Sequence, residues 1–389
     1  MTRPEFHFFI SDDNRPVTRC DSAWEHPLPR QRHAEDGIES SDDRVCLGEY
    51  FSAIQSFLSL DDYQPVFSAL NRTFGNERSN EALRDIRVFL MKHGQYYHAA
   101  RINVLFGDSA YTFVVNAAAS PAGISVIDAE IESLNRLNRI FPYSYVPNVF
   151  ARGDIRLEHG RMLRMFLGEW FDGYKEFHLS PGPGGTPMRI VVWNDEEGGY
   201  FLKASAVENL YSKIAALLTA YYNVATYEHI ALWHHAAGDF ILKQDGGNLS
   251  LKLISVRNYR PMLENAAHDI GTMLDALLIF LLQMSIRTRL DRADGVGDLE
   301  WAQQWAVAGT LDGFFQGLKV QADHGLVPEA FIDAFKHYIF CFELSDLLEW
   351  ASGIVNRIHP DAHEKRIIRA HIQDHVYHLH AGLKRCLFR

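Results

Sequence analysis

Cysteine is scarce: the 389 residues hold four, and Cys20, Cys46, Cys341 and Cys386 stand far apart with no CxxC pair. That spacing excludes a disulfide framework and a zinc ribbon, and it suits free thiols in a reducing cytosol. Long hydrophobic runs are missing too. The longest mostly apolar segment, residues 273–284, falls short of the roughly 20 residues that span a bilayer, so it reads as a core helix. The N-terminus is polar, with Asp12 and Asp13 close behind it, and shows no signal-peptide pattern. Nor is there an excess of positive charge. A formal net charge of −11 and a pI near 5.9 argue against general affinity for nucleic acid or an anionic membrane. These absences together predict a cytoplasmic chain whose partners are small molecules, nucleotides or another protein.

Composition is otherwise ordinary. With 47% hydrophobic and 22% charged residues, a chain of this length can bury two cores. Residues 1–45 are rich in Asp, Arg, Pro and Ser and read as a polar extended arm, in which Phe6, Phe8, Phe9 and Ile10 are placed to add a strand. Leu47, Tyr50, Phe51, Ile54, Phe57 and Leu58 recur at helical spacing, and residues 81–90 read as a second helix or its continuation into a strand. Residues 46–90 are therefore expected to form an N-terminal helical extension.

From Arg101 the period changes to two. Ile102, Val104 and Phe106 alternate, Gly107-Asp108-Ser109 turns, and Tyr111, Phe113 and Val115 alternate again, which predicts a hairpin. A helix follows over 126–140 with Ile127, Ile131, Leu134 and Leu137 as its stripe, and residues 146–150 and 161–170 read as strands. Residues 180–185, Ser-Pro-Gly-Pro-Gly-Gly, form the strongest break, either a hinge or a hairpin tip. It is taken as the boundary between a β-rich part, 91–180, and a helical part, 181–389, with helices expected from about residue 257 onward. Strands early and helices late predict the α+β class.

The chemistry concentrates in 227–269. Trp233 is followed by His234, His235, two alanines, Gly238 and Asp239; a turn comes at Asp245-Gly246-Gly247-Asn248, then a strand-like run to Val256, and Asp269 opens another helix. Imidazole can act as a general base near neutral pH, which makes His234 and His235 candidate catalytic groups with Asp239. Arg257, with Lys92 and Arg101, is a candidate anion clamp, and His93 sits in the same cationic, aromatic stretch, residues 92–98.

In order and spacing, these segments resemble the protein-kinase-like fold, in its aminoglycoside- and choline-kinase phosphotransferase group, over about residues 90–350. The resemblance implies a bilobal α+β protein with a small β-rich N-lobe and a larger helical C-lobe, and ATP with Mg²⁺ as cofactors. It places Asn116 where the group carries its phosphate-binding Lys, and Glu130, in Glu130-Ile131-Glu132-Ser133-Leu134, as the counterpart of that Lys's partner. Asp239-Phe240-Ile241-Leu242 resembles the end of the catalytic loop, which makes Asp239 the metal ligand and His234, five residues earlier, the base. Leu251-Lys252-Leu253-Ile254-Ser255 resembles the metal-binding strand with Ser255 in place of Asp, and a hydroxyl is a weaker Mg²⁺ ligand than a carboxylate. Asp269 corresponds to the buried Asp that supports the catalytic loop. No glycine-rich phosphate loop is present, since residues 92–98 hold a single glycine. The pattern thus implies a divergent, pseudokinase-like site that binds a nucleotide or other anionic ligand, with weak or no phosphoryl transfer. An active atypical phosphotransferase and an inert interaction module are the alternatives.

Two further patterns compete. His234-His235-Ala236-Ala237-Gly238-Asp239 also satisfies the HHxxxD pattern of the chloramphenicol-acetyltransferase and condensation-domain group, with His235 as base, but Phe240 stands where that group has Gly. His371, His375 and His378 near Asp374 have helical metal-ligand spacing, though a solvated His-rich helix is the plainer expectation. Trp301 and Trp305 read as packing residues.

Overall fold

A computed structural model describes residues 3–10, 15–28, 45–75, 82–93, 96–182, 184, 186–193, 198–231, 233, 238–295, 297–358 and 362–386. Contacts divide the chain into two compact units, Met1–Arg139 with Pro147–Asp172, and Ile140–Val146 with Gly173–Arg389.

The first unit is built on a six-stranded sheet: β1 (Glu5–Ile10), β2 (Leu83–His93), β3 (His98–Phe106), β4 (Ser109–Ala118), β5 (Val149–Arg156) and β6 (Met162–Glu169). Their order is β1-β2-β3-β4-β6-β5, with β1 parallel to β2 and every other pair antiparallel. The expected hairpin is β3–β4, and its alternation buries Ile102, Val104, Phe113 and Val115. Residues 83–90, ambiguous between helix and strand by sequence, are strand. The arm contributes β1, as Phe6–Ile10 suggested.

Two helices, α1 (Leu47–Leu58) and α2 (Leu60–Phe74), share the sheet's core: Tyr50, Phe51, Ile54 and Phe57 cluster with Ile86, Val88, Ile102 and Leu167. α1 starts at a capping box, Glu49 N–H donating to Cys46 Sγ while Cys46 N–H donates to Glu49 Oε2 at 2.9 Å. β5 comes so close to α1 that a Cβ on Gly153 would lie 2.8 Å from Phe57. α3 (Pro121–Ile140) begins earlier than the apolar stripe suggested, because a proline can open its first turn. Its stripe of Ile127, Ile131, Leu134 and Leu137 is buried as expected.

The second unit contains a five-stranded sheet of order β12-β11-β7-β8-β9, from β7 (Lys175–Gly182), β8 (Thr186–Val192), β9 (Tyr200–Phe201), β11 (Phe240–Asp245) and β12 (Asn248–Leu253). The Pro/Gly stretch near 181–185 is therefore not the boundary between units. The chain doubles back there, pairing Phe177 with Val192, and both strands stay in one sheet. Nor is the region after Val256 wholly helical. β13 (Asn258–Pro261) pairs with β10 (Glu228–Ala231), and β14 (Leu290–Arg292) with β15 (Leu299–Trp301).

Among the described residues this unit also holds the helices α4 (Ala204–Ala220), α5 (Ile270–Arg287), α6 (Trp305–Asp323), α7 (Glu329–Phe340), α8 (Leu344–Asn356) and α9 (His363–Cys386). α5 is long and apolar enough to cross a membrane by composition alone, yet Leu274, Leu277, Leu278, Leu281 and Leu282 are buried inside the unit. α4 and α6 pack backbone to backbone through a stripe of glycines spaced by four, Gly309, Gly313 and Gly317. A Cβ on Gly313 would sit 1.9 Å from Ser212 O, and one on Gly309 2.4 Å from Glu208 O. The helices are then tied by side chains, with Ser212 Oγ donating to Asp312 and Gln321 Nε2 to the Thr219 and Tyr222 carbonyls.

Gly313→Ala is expected to lower stability by about 3 kcal/mol or more, because the overlap is with backbone that cannot move aside. Gly353→Ala in α8, where an added Cβ meets nothing within 4 Å, is expected to raise stability by about 0.5–1 kcal/mol. Urea unfolding of the two variants measures both.

Candidate functional site

The loop picked out by sequence is framed by two strand pairs. β10 ends at Ala231, and Ala231 stands opposite Asn258 of β13. β11 and β12 form a tight hairpin whose turn residues Gly246 and Gly247 both have positive φ (54° and 93°), which glycine adopts without strain. The hairpin carries the chain from Asp239 out and back, so that Ile254 N–H donates to the Asp239 carbonyl at 2.9 Å. Asp239 and residues 254–257 thus meet at the hairpin's base.

There the Asp239 carboxylate, 2% exposed, accepts a two-pronged bond from Arg257, with Nη1 to Oδ2 at 2.8 Å and Nη2 to Oδ1 at 2.7 Å. Parallel N–H···O bonds of this kind are the strongest form of the pair. The guanidinium is itself only 16% exposed. Arg257 immediately precedes the strand paired with β10, so the ion pair closes the loop that begins after Ala231. Ser255, between the two, is also buried. His234 and His235 lie outside the described residues.

The other candidates are dispersed. Asn116 on β4 is 8% exposed and Glu130 on α3 is fully enclosed, both in the first unit. Arg101 also belongs there, its guanidinium 4.5 Å from the centroid of Phe89, its cross-strand neighbour, whose ring stacks on Phe9. Lys92 and His93 lie at the end of β2, and their side chains are outside the described residues. Asp269 is not buried. It caps α5, accepting from Thr272 N–H and Oγ1 at 2.9 Å each, and these bonds hold its carboxyl below the usual range. An N-cap is what an Asp just ahead of an apolar helix does by local chemistry alone.

The His-rich helix α9 does not gather its imidazoles. His371 stacks on Trp301, His378 pairs with Asp374 at 3.3 Å, and His375 is fully buried. Among the described residues no three His, Cys, Asp or Glu side chains converge as metal ligands. His378 instead lines a cavity of about 460 Å³ between α6 and α9, with Gln303, Gln304, Val307, Leu311 and Arg385.

Sequence reasoning missed two buried polar networks in the second unit. Arg289 Nη1 donates to His375 Nδ1 at 3.5 Å, His375 Nε2 donates to Ser285 Oγ at 3.1 Å, and Ser285 donates to the Leu282 carbonyl. This chain requires a neutral imidazole. Burial first, then the charge of Arg289, pushes His375 down to about 3. In the second network His178 on β7 lies between Asp291, at 3.9 Å, and Glu176, at 3.7 Å. Burial alone would depress it, but the two carboxylates together outweigh that and push it up to about 9. No periodicity marks His178, and the spacing around His375 points to a solvated His-rich helix, not to a buried network.

No protein-family model and no curated sequence matches the chain. Among solved structures it is similar to the PAN3 pseudokinase of Drosophila melanogaster, at 8% identity and a TM-score of 0.30, covering 78% of this chain and 69% of that one. It is likewise similar to a choline kinase from Cryptosporidium parvum Iowa II, at 9% identity and a TM-score of 0.32, covering 83% and 97%. Likenesses of this size carry no argument about chemistry, which rests on the side chains themselves.

Asp239→Ala and Arg257→Ala are each expected to cost about 3–5 kcal/mol of stability, because each strands a buried charge. The double variant Asp239→Leu/Arg257→Met should recover most of that loss in the same unfolding assay. The histidines give a pH profile with two flanks. Below about 6.5 the unfolded chain takes up a proton that His375 refuses, so stability falls as pH drops towards about 3. His178 stabilises fully below about 6.5 and loses this as pH rises through about 9. Each flank has a limiting slope of about 1.4 kcal/mol per pH unit. Thermal melts should show the acid flank flattened in His375→Gln and the alkaline flank flattened in His178→Gln.

Proposed function

We propose that the chain is a divergent relative of the kinase-like small-molecule phosphotransferases, one that binds a nucleotide or another anionic ligand and transfers phosphoryl groups weakly or not at all. On this reading the first unit corresponds to the small lobe and the second to the large one. Support comes from the element order: a hairpin bearing Asn116, a helix bearing Glu130, then β10, the loop, the β11–β12 hairpin and α5.

The observation that carries the functional half is the Arg257–Asp239 fork. A divalent ion needs carboxylate oxygens with free lone pairs, and here both oxygens of Asp239 already accept from a guanidinium within a buried setting. A metal would have to bind beside the positive guanidinium of Arg257, which opposes it electrostatically. Ser255 offers a hydroxyl where a second carboxylate would help, and Asn116 offers a neutral amide where a Lys would brace phosphate. Removing one preorganised electrostatic element of this kind costs roughly 2.7–4 kcal/mol of barrier, so losing several leaves little transfer. The scattered thiols and net negative charge fit a cytoplasmic setting and a small-molecule ligand.

Thermal-shift titration with ATP and GTP, each with and without Mg²⁺, tests this. The expected result is nucleotide stabilisation that does not depend on Mg²⁺ and survives in Asp239→Leu/Arg257→Met. A Mg²⁺-dependent ATP shift, abolished by Asp239→Ala, would overturn it in favour of an active phosphotransferase with His234 as base. No shift with any nucleotide would leave an interaction module, and a response to acyl-CoA lost in His235→Ala would point to acyl transfer.

A further inference from the structure

The last turn of α5 and strand β10 enclose a small cavity of about 40 Å³ in the second unit. Its polar lining is His229, Gln283 and Arg287, and its apolar wall includes Trp233, Phe280 and Met284. Among the described residues no Asp or Glu lines it. Arg287 is half-buried, and among the described residues no hydrogen bond or ion pair engages its guanidinium. The carbonyls at this helix end are already used, those of Met284 and Ile286 by Thr288 N–H and that of Leu282 by Ser285 Oγ.

A second arginine adds to the same field. Arg260, exposed and outside the cavity's lining, stands directly opposite His229 in the β10–β13 ribbon, and directly opposed residues project from the same face. The effect is visible on His229, which burial first, then the positive charges of Arg260 and Arg287, push down to about 4. The imidazole is therefore neutral at physiological pH, in the field of Arg287 at the cavity wall and of Arg260 outside it. Holding a half-buried cation without a counter-charge is costly, and an apolar wall raises the value of any anion that arrives.

We infer that this cavity is an anion site that takes the phosphoryl group of a small ligand, with Arg287 and Arg260 as counter-charges and the Gln283 amide as a neutral donor. The volume admits one compact oxyanion and leaves no room for a sugar or base, so the remainder of the ligand stays outside. Two arginines match a dianion better than a carboxylate, and the guanidinium fork fits the spacing of phosphate oxygens. The site is separate from the Asp239–Arg257 pair and does not depend on the phosphotransferase reading.

Isothermal titration of the full chain with inorganic phosphate, and with acetate and chloride at matched ionic strength, tests the assignment. Phosphate is expected to bind saturably, to raise the melting temperature and to change fluorescence in a way lost in Trp233→Phe. Arg287→Gln and Arg260→Gln should each weaken binding roughly tenfold or more, whereas Arg385→Gln, at the other cavity, should leave it unchanged. If Arg287→Gln does not fold by circular dichroism, Arg287→Lys, which keeps the charge and loses the fork, should bind more weakly than the parent. Absence of saturable phosphate binding, binding indifferent to both arginine changes, or acetate binding as tight as phosphate would each overturn the proposal.

Discussion

A carboxylate taken out of water must be met by a partner, and for Asp239 that partner is Arg257. The two residues are 18 apart in sequence, yet the β11–β12 hairpin returns the chain so that its two ends coincide. The ion pair fixes Asp239, just ahead of β11, to the residue just ahead of β13, the strand that pairs with β10. Loop, hairpin and ribbon therefore share one constraint. It also sets the chemistry, because a carboxylate forked by a guanidinium is poor at holding a divalent ion.

The β11–β12 hairpin packs on α4, which is itself held by α6. Three glycines at every fourth position let the two helix backbones touch, and the close approach buries Thr219 and Gln321 with their hydrogen bonds satisfied. Tyr221 and Tyr222, at the end of α4, extend this support towards β13: the Tyr259 hydroxyl donates to the Tyr221 carbonyl at 3.0 Å. Residues 140–146 complete the packing, with Phe141, Tyr143 and Tyr145 against Tyr221, and Tyr145 O accepting from Leu253 N–H at the end of β12. The hairpin is thus held from behind by aromatic rings and from its base by charge.

Local physics made much of this legible from sequence. Period-two alternation marked β3 and β4, the Gly246-Gly247 pair marked the hairpin turn, and the apolar stripe marked α3. Asp239 and Arg257 were both selected, but as a metal ligand and a phosphate clamp, because pairing across 18 residues depends on where a hairpin closes and not on any spacing rule. Asp269 shows the opposite error. Its capping role is written in the residues beside it, and a buried supporting role was assigned to it only by resemblance. The stretch at 181–185 illustrates a limit of composition: Pro and Gly announce a turn, but whether the turn separates two units or two strands depends on tertiary pairing. The glycine stripe in α6 was readable as a pattern of four, and its meaning appears only when α4 is seen against it.

The buried histidines show how one residue type is set to opposite states by its neighbours. His178 lies between two carboxylates and keeps its proton, while His375 and His229 face arginines and give theirs up. Burial acts in the same direction on all three, against the charged form; on His178 the two carboxylates outweigh it, and on His375 and His229 it is the larger cause and the arginines add to it. For His375 the facing cation is absorbed: Arg289 gives two of its donors to the Ala302 carbonyl and lies over the Trp301 ring, so a closed network accounts for it. For His229 the cation at the wall of the small cavity is Arg287, which has no ion pair among the described residues, while Arg260 is exposed to solvent. Arginine near a histidine is thus structural in one place and unsatisfied in the other, and only the unsatisfied case calls for a ligand.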